Sequence, residues 1–526
     1  SLSEDLNALA FDYLFSIANL DMLPEAMIAS ARKMAVNFHD GPLPRYAGLN
    51  ATSWAILNRE TTHGVTWHEM TAKADMGGIV AAESVSIDPN ETALSLNAKC
   101  FEAGLAGFRS IIEDIAAGAL QARPQQGQRS YFGRDKRPAA LATISFDEPA
   151  AHALALVRAL TFGPYANPLS CAKLWTGERV LLVGAAEIAE ASAAKPGTVL
   201  AVDAQSVTIA TNDVLIKLSD LTDAAGEAVD PSKAADLKVG AVLPLLSADH
   251  VARIDQLGKA SAKSEAFWLA HGARAEAIEQ PYPRARRAGA AAHEFVLAAQ
   301  GKAEEGVAAL AAWAARVTGA RAISVALFDG TQEADFGYAA RWFARWRPLV
   351  LDAPADIDGG SLLGGVEAAL AAARAAGPLT HDFYVRRARQ DRARGRADDL
   401  SFAVALGDYA PEHPNADVTL NAVDGVLSLR VRGDAFEFET ARTIADHIGA
   451  ALRSLSAAPK QAIGDIELRD VRETARLAAF EAGPAVNAPF ASIHDAIARQ
   501  ALATPDKIAV RTRWAELSYS ALQDRA

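Results

Sequence analysis

The sequence predicts an α/β chain of several domains: a parallel α/β sheet first, then a small β-barrel, then a mixed α+β lobe. Three observations carry this. Up to Gly118, short apolar runs alternate with helical stretches at brief connections, the pattern of a parallel sheet covered by helices. From Pro138 the texture changes to short β-rich segments separated by polar turns, which is barrel-like spacing. Beyond Leu246 helical periodicity returns, together with a strong two-residue hairpin signal at Asp424-Gly425. At 526 residues the chain exceeds one ordinary core, and about three or four domains are expected.

Taken in order, Tyr13 to Leu20 (YLFSIANL) reads as a buried strand, Glu25 to Lys33 as a helix, and Met34 to Asn37 as the next strand. A helix over Ser53 to Asn58, a strand over His63 to Glu69 and a long Ala-rich helix from Ala93 to Gly118 complete the first domain, residues 1–137. Thr198 to Val202, Val207 to Thr211 and Val214 to Leu218 are strands of the second, residues 138–245. In the third, residues 246–480, Glu304 to Val317 is an amphipathic helix and Ile323 to Phe328 a strand. Val418 to Val423 and Val426 to Val431 flank the hairpin turn, and Leu427, Leu429 and Val431 alternate with Ser428, Arg430 and Arg432 as in a half-buried strand. Residues 481–526 form a last element group, and both chain ends read as cuts in a longer polypeptide.

Composition narrows the function classes. Half of the residues are hydrophobic and 22% are charged, as in globular protein. The net charge, 52 − 64 = −12, disfavours nucleic acid and anionic membrane as partners. Cys100 and Cys171 provide neither a disulfide framework nor a metal cluster, so no metal is expected and a reducing cytoplasm fits. No apolar run reaches about 18 residues, the length that spans a bilayer.

The chemistry concentrates in the first domain. Asn37 and His39 lie two apart at a strand end, so both point to one side. Asp75 follows in the glycine-rich TAKADMGG, 75 − 39 = 36 positions after His39. An amide, an imidazole and a carboxylate that converge suit acyl transfer to an amine. The amide donates to the developing oxyanion, roughly 2.7–4 kcal/mol in other enzymes. The imidazole, with an ordinary pKa of about 6.5, moves the proton, and the carboxylate orients it. Taken alone, Asn-x-His is more often a satisfied turn, and Asp before glycine an ordinary turn residue.

The ordered elements around these residues say more. Asn37/His39, Leu43-Pro44-Arg45-Tyr46-Ala47-Gly48, Trp54-Ala55, Gly64-Val65-Thr66 and Asp75-Met76-Gly77 succeed one another within about 45 residues. This segment resembles the signature region of the folate-dependent formyltransferases, and its HDGPLP wording is closest to the branch at the start of nonribosomal peptide synthetases. The resemblance implies 10-formyltetrahydrofolate as co-substrate, no metal, and catalytic roles for Asn37, His39 and Asp75. It places the pterin near Ile17, Leu20 and Leu23 and the loop at Lys73 and Ala74. Tyr46 and Gly48 would shape the substrate pocket, and His68 is either a pocket residue or a surface strand histidine. It further implies that 138–245 is an oligonucleotide-fold-like subdomain, that Arg129 to Pro138 links to it, and that the family's first βαβ unit is absent upstream of Ser1.

Residues 246–480 resemble the C-terminal lobe of a condensation domain, with the sheet starting in Phe267 to Pro283 and an exit helix in ELRDVRETARLAAFEAG. Its His-His-x-x-x-Asp-Gly site is missing from the sequence, so a spacer or docking platform is expected. The end, with Leu517-Ser518-Tyr519-x-x-Leu522, looks like the opening of an adenylation domain. Together they imply a synthetase loading module that formylates an aminoacyl group on a carrier protein, with downstream adenylation and carrier domains as partners. The rival expectations are a scaffold that has lost its chemistry and a formylated hydroxyornithine-type side chain. Elsewhere, Arg386 to Arg396 reads as a solvated loop, Gly359 to Gly365 as a flexible turn, and Trp268, Trp313, Trp342 and Trp346 as packing residues.

Overall fold

Phe15, Val36, Phe38, Val65 and Trp67 put one apolar face on the first sheet, whose strands are β1 (Tyr13–Ser16), β2 (Met34–His39), β4 (Thr62–Glu69) and β5 (Ile79–Ser86), adjacent in that order. The computed structural model describes residues 9–285, 289–392, 394–483, 487 and 491–526. These fall into two compact units, one ending at Glu467 and one starting at Leu468.

The sheet is mixed, a correction to the all-parallel expectation. β1 and β2 run parallel, but β4 is antiparallel to β2 and β5 antiparallel to β4. Parallel neighbours need a crossover packed on the sheet face. The helix between β2 and β4, α2 (Ala51–Leu57), instead packs on α4 (Ala150–Ala159) of the next domain, and β4 and β5 are joined by a short loop. The helix expected to reach Lys33 is only α1 (Glu25–Ile28). Arg32 and Lys33 are drawn off it: their backbone N–H groups donate to Phe11 and Asp12, and their side chains pair with Asp12. β3 (Ala47–Gly48) pairs instead with β6 (Tyr131–Phe132).

The long helix α3 (Ala93–Ala117) begins at a Thr92/Ser95 capping box and ends at Gly118 in the left-handed region, φ 68°. Leu96, Cys100 and Ile111 bury against Phe38, Trp67 and Val85. Phe38 crosses Gly104 so closely that a Cβ there would meet its ring at 2.4 Å.

Residues 138–245 form an antiparallel sheet in the order β7 (Ala172–Trp175), β8 (Val180–Ala191), β11 (Val214–Thr222), β10 (Ser206–Ala210), β9 (Val199–Val202). It is open, which corrects the expected barrel. Its two edge strands do not pair with each other: Thr143 bridges to Lys173 on one edge, and Val242 to Thr198 by the other. Its core is shared with the first domain, since Tyr46 and Trp54 pack in one cluster with Ile144, Leu174, Leu181, Ile216 and Leu218.

The third part starts with α5 (Ala248–Arg274), whose Ile254, Leu257 and Trp268 keep helical spacing and are buried. The sheet therefore does not begin in Phe267 to Pro283: that segment is helix end and loop, and the first strand is β12 (His293–Ala298). Six strands follow in the order β12, β17 (Val426–Val431), β16 (Val418–Val423), β15 (Phe402–Gly407), β13 (Ala322–Asp329), β14 (Arg347–Asp352), packed by α6 (Ala303–Thr318) and other helices. The hairpin forms as expected, with Asp424 and Gly425 both at positive φ, 50° and 76°.

Two expectations fail here. The Gly359 to Gly365 run opens a helix, Gly359–Ala376, because Asp358 caps it (Ser361 N–H donates at 3.0 Å) and Leu362, Val366 and Leu370 supply a buried stripe. Arg386 is not solvated but 6% exposed, paired with Asp382 and Glu265, and Arg396 donates to the Ala225 carbonyl. The four tryptophans are buried as packing residues. The second unit holds a helix Val471–Ala482, a helix Ile493–Ala503, an antiparallel pair Ile508–Arg511 and Glu516–Ser518, and a helix Tyr519–Arg525. Among the described residues no helix is long and apolar enough to cross a membrane.

Candidate functional site

The site forms at the carboxyl end of β2, where the strand delivers two side chains to one face. Asn37 stands opposite His68 of β4, and His39 opposite Thr66. Asn37 and His68 touch, Nδ2 to Nε2 at 3.2 Å. Asp75 arrives from the loop between β4 and β5: Oδ1 is 3.4 Å from His68 Nε2 and Oδ2 is 3.9 Å from His39 Nδ1. Two imidazoles thus share one carboxylate, and Asn37 joins them through His68.

The backbone fixes this arrangement. Asp75 itself has a positive φ of 55°, and Gln125 Nε2 clamps its turn by donating to the carbonyls of Asp75 (3.0 Å) and Gly77 (2.8 Å). Arg129 donates to the Ala74 carbonyl. Gly48 N–H donates to Asp75 Oδ2 at 2.7 Å. Gly48 lies at φ 99°, with the Phe132 carbonyl 2.2 Å from where a Cβ would stand, so no other residue suits that position. Burial alone would raise the Asp75 pKa, but the His68 side chain, the His39 ring and the Gly48 N–H outweigh it and hold it below its ordinary value. Asp75 is therefore ionised wherever its neighbours work.

The lip from Asp40 to Gly48 is stapled to β4. Thr66 Oγ1 donates to the Gly41 carbonyl at 2.8 Å and accepts from Leu43 N–H at 3.1 Å. His63 Nε2 contacts the Asp40 carbonyl at 2.8 Å, and burial depresses its pKa, so it stays a neutral donor. His39 Nε2 meets the Tyr46 carbonyl at 2.9 Å. A carbonyl only accepts, so Nε2 carries the proton and the neutral ring keeps its lone pair on Nδ1, facing Asp75. That is the geometry of a proton shuttle.

Of the expected residues, Asn37, His39, His68 and Asp75 come together. Tyr46 does not put its ring there: it packs in the core, stacked on Phe132, with its hydroxyl donating to Glu60, and gives the site its carbonyl. Gly48 gives its N–H. Ile17 and Leu20 are 50% and 73% exposed and Leu23 is half-buried, in the stretch that follows Ser16, the register partner of Asn37. Lys73 is exposed and Ala74 half-buried, next to Asp75. Among the described residues no cluster could hold a metal ion. The sequence reading missed Gln125, Ser130, whose Oγ accepts from Tyr46 N–H, and Phe132. They lie 48 or more positions from the residues they support; the aromatic-basic RSYF, read as a linker, is the available signal.

Two family models match the chain. Residues 1–112 match the family model described as formyl transferase, and residues 138–236 that of the formyl transferase C-terminal domain. Among solved structures, HypX from Aquifex aeolicus in complex with tetrahydrofolic acid is 21% identical, with a TM-score of 0.34 over 41% of this chain and 36% of its own. WlaRD, a sugar 3N-formyl transferase crystallised with dTDP and 5-N-formyl-THF, is 21% identical over 41% of this chain and 75% of its own, TM-score 0.34. The N-formyltransferase from Helicobacter canadensis with folinic acid and dTDP-3-aminofucose is 19% identical over 42% and 78%, TM-score 0.34. The chain spans well under half the length of HypX. Residues 1–112 and 138–236 thus match, in chain order, the family models of the two successive parts of a formyltransferase.

Proposed function

We propose that the chain transfers a formyl group from 10-formyltetrahydrofolate to an amine, with Asn37, His39 and Asp75 as its catalytic residues. The observation that carries this reading is their convergence with His68 at the carboxyl end of β2, inside the formyltransferase match. The folate supplies an activated formyl carbon. Around it, Asn37 donates to the oxygen that gains charge as the amine nitrogen bonds to that carbon. His39 Nδ1, backed by ionised Asp75, takes the amine proton; a proton returns to the folate nitrogen as its bond to the formyl carbon breaks. The exposed apolar Ile17 and Leu20, with Leu23, offer a face for the pterin, and the Lys73–Ala74 turn a wall.

For the acceptor, we infer an aminoacyl group held as a thioester on a carrier protein, in the loading module of a nonribosomal peptide synthetase. Support comes from the HDGPLP wording and from the elements after residue 246, where the condensation signature is missing and the final strands and helix carry Leu517-Ser518-Tyr519. A hydroxyornithine-type side-chain amine is the neighbouring possibility. An inactive scaffold is the reading favoured by the loose 3.9 Å spacing of His39 and Asp75.

The experiment incubates the full chain with 10-formyltetrahydrofolate and aminoacyl carrier protein, or hydroxyornithine, and follows the mass of each acceptor. Gain of one formyl group, lost in Asn37→Ala and His39→Ala, supports transfer; no gain on either amine overturns it in favour of the scaffold.

A further inference from the structure

His68 is 2% exposed, and both of its ring nitrogens are engaged. Nδ1 lies 2.9 Å from the Glu69 carbonyl, which can only accept, so Nδ1 bears the proton. In the neutral ring Nε2 is then a bare lone pair, and the group before it is the Asn37 amide nitrogen at 3.2 Å. An Nδ2–H pointed at that lone pair leaves the other N–H and the oxygen of Asn37 for the pocket. Asp75 Oδ1 lies 3.4 Å from the same Nε2 and receives a proton from it only when the His68 ring is charged.

We propose that His68 is a positioning residue: its neutral Nδ1–H tautomer sets which way the Asn37 amide faces. It further couples Asn37 to Asp75 through a single proton. When His68 is protonated, Nε2–H donates to Asp75 and no longer accepts from Asn37, so the amide loses its fixed orientation while the carboxylate gains a partner. The groups facing His68 are Asn37 and, with ring centroids 6.5 Å apart, His39 from β2; Asp75 from the loop; Glu69 on its own strand; and uncharged Ile79 opposite on β5. The catalytic consequence rests on the formyl-transfer reading; the tautomer and the hydrogen bond do not.

The test therefore has two readouts on the full chain. Imidazole 15N NMR, with the His68 signals identified by their loss in His68→Gln, is expected to show Nδ1 protonated and Nε2 bare at neutral pH. The Nε2 signal should shift in Asn37→Ala. An Nε2–H tautomer, or no shift on removing Asn37, overturns the proposal whether or not the protein transfers formyl groups. Kinetically, His68→Leu, which deletes the acceptor, is expected to lower kcat up to about a hundredfold at nearly unchanged KM. His68→Gln, whose carbonyl oxygen can accept from Asn37, recovers most of it. Wild-type kcat in His68→Leu, or equal losses in both variants, overturns the positioning role. Absence of transfer in the wild type condemns the functional reading alone and leaves the NMR result to decide the tautomer.

Discussion

Two clusters of ionisable side chains in the first unit differ in how they are satisfied. Around Asp75 the spacing is loose: one carboxylate, 11% exposed, faces His68 at 3.4 Å and His39 at 3.9 Å. Around Asp382 it is tight and sealed. Lys173 and Asp382, both 0% exposed, meet at 2.7 Å, and Lys173 Nζ also reaches the carbonyls of Leu141 and Cys171 and Ser170 Oγ. Arg386 bridges Asp382 to Glu265, which also pairs with Arg137. Burial alone would raise the Asp382 pKa, yet Lys173, Arg386 and the neighbouring hydrogen bonds hold it well below the carboxylate range. The sealed network ties residues 138–245 to the lobe that follows. The open one has groups with capacity left over, which is what a site needs to exchange protons with something that comes and goes.

The largest effects should separate the two. His39→Ala is expected to lower kcat by about 10²–10⁴, the worth of a general acid–base, and Asn37→Ala by about 10²–10³, that of an oxyanion donor. Each also leaves a buried partner unpaired, His68 for Asn37 and the Tyr46 carbonyl for His39, which should cost about 1–3 kcal/mol of stability. Lys173→Met should act on stability alone. Removing one partner of a buried pair costs about 3–5 kcal/mol, read by chemical denaturation, with kcat of the folded fraction unchanged. If Lys173→Met leaves stability intact, the network is not the joint it resembles.

Acid sharpens the same contrast. His381, beside Asp382, donates Nδ1–H to the Trp342 carbonyl while its buried Nε2 has no partner among the described residues. Burial, with Lys173 nearby, pushes its pKa down to about 4. The unfolded chain binds that proton at a pKa of about 6.5, so unfolding takes up protons between the two values. Stability rises with pH there and is lost as pH falls from about 6.5 to 4. A difference of about 2.5 units corresponds to roughly 3 kcal/mol at most. His381→Phe keeps the Trp342 carbonyl satisfied by the backbone N–H of residue 381 and should flatten this slope in denaturation curves taken across that range. An unchanged slope would place the sensitivity elsewhere, His413 being the next buried histidine with a pKa near 4.

Legibility in the sequence followed the same division. Asn37, His39 and Asp75 can be named because the ordered elements around them lie within about 45 residues and resemble a known signature; their spacing alone reads as ordinary turns. The sequence leaves His68 open between pocket and surface, because a strand histidine's face depends on register, and register with β2 is a tertiary fact. Lys173 and Asp382 lie 209 positions apart and could not be paired from the chain. Strand β5 (IVAAESVS) escaped notice because it alternates poorly and faces solvent over its middle. The glycine run at 359 reads as a turn because glycine lowers helix propensity, whereas Asp358 and the Leu362, Val366, Leu370 stripe decide for a helix.

A smaller effect tests how tightly the open site is built. Gly41 has an ordinary φ, but a Cβ there would stand 2.7 Å from His39 Nε2 and 3.0 Å from the Tyr46 carbonyl, the hydrogen bond that fixes the ring. Gly41→Ala should cost about 1–3 kcal/mol by overpacking and lower kcat with it. An unchanged kcat would mean that His39 works without that hydrogen bond.

The smallest expected effect is at Asp40, and it discriminates most finely. Its carboxylate and that of Asp75 both lie 3.9 Å from His39 Nδ1, so distance alone does not choose between them. Asp75 is anchored by Gly48 N–H and its pKa is depressed. The contact that Asp40 makes to His63 runs through its backbone carbonyl, and among the described residues its carboxylate has no hydrogen bond. Asp40→Asn keeps the carbonyl, the shape and the lip, so stability should stay within about 0.5 kcal/mol and kcat within about twofold. Asp75→Asn, in the same assay, should approach the loss seen in His39→Ala. If the two substitutions cost alike, His39 draws on both carboxylates, and the anchoring of Asp75 is not what selects its partner.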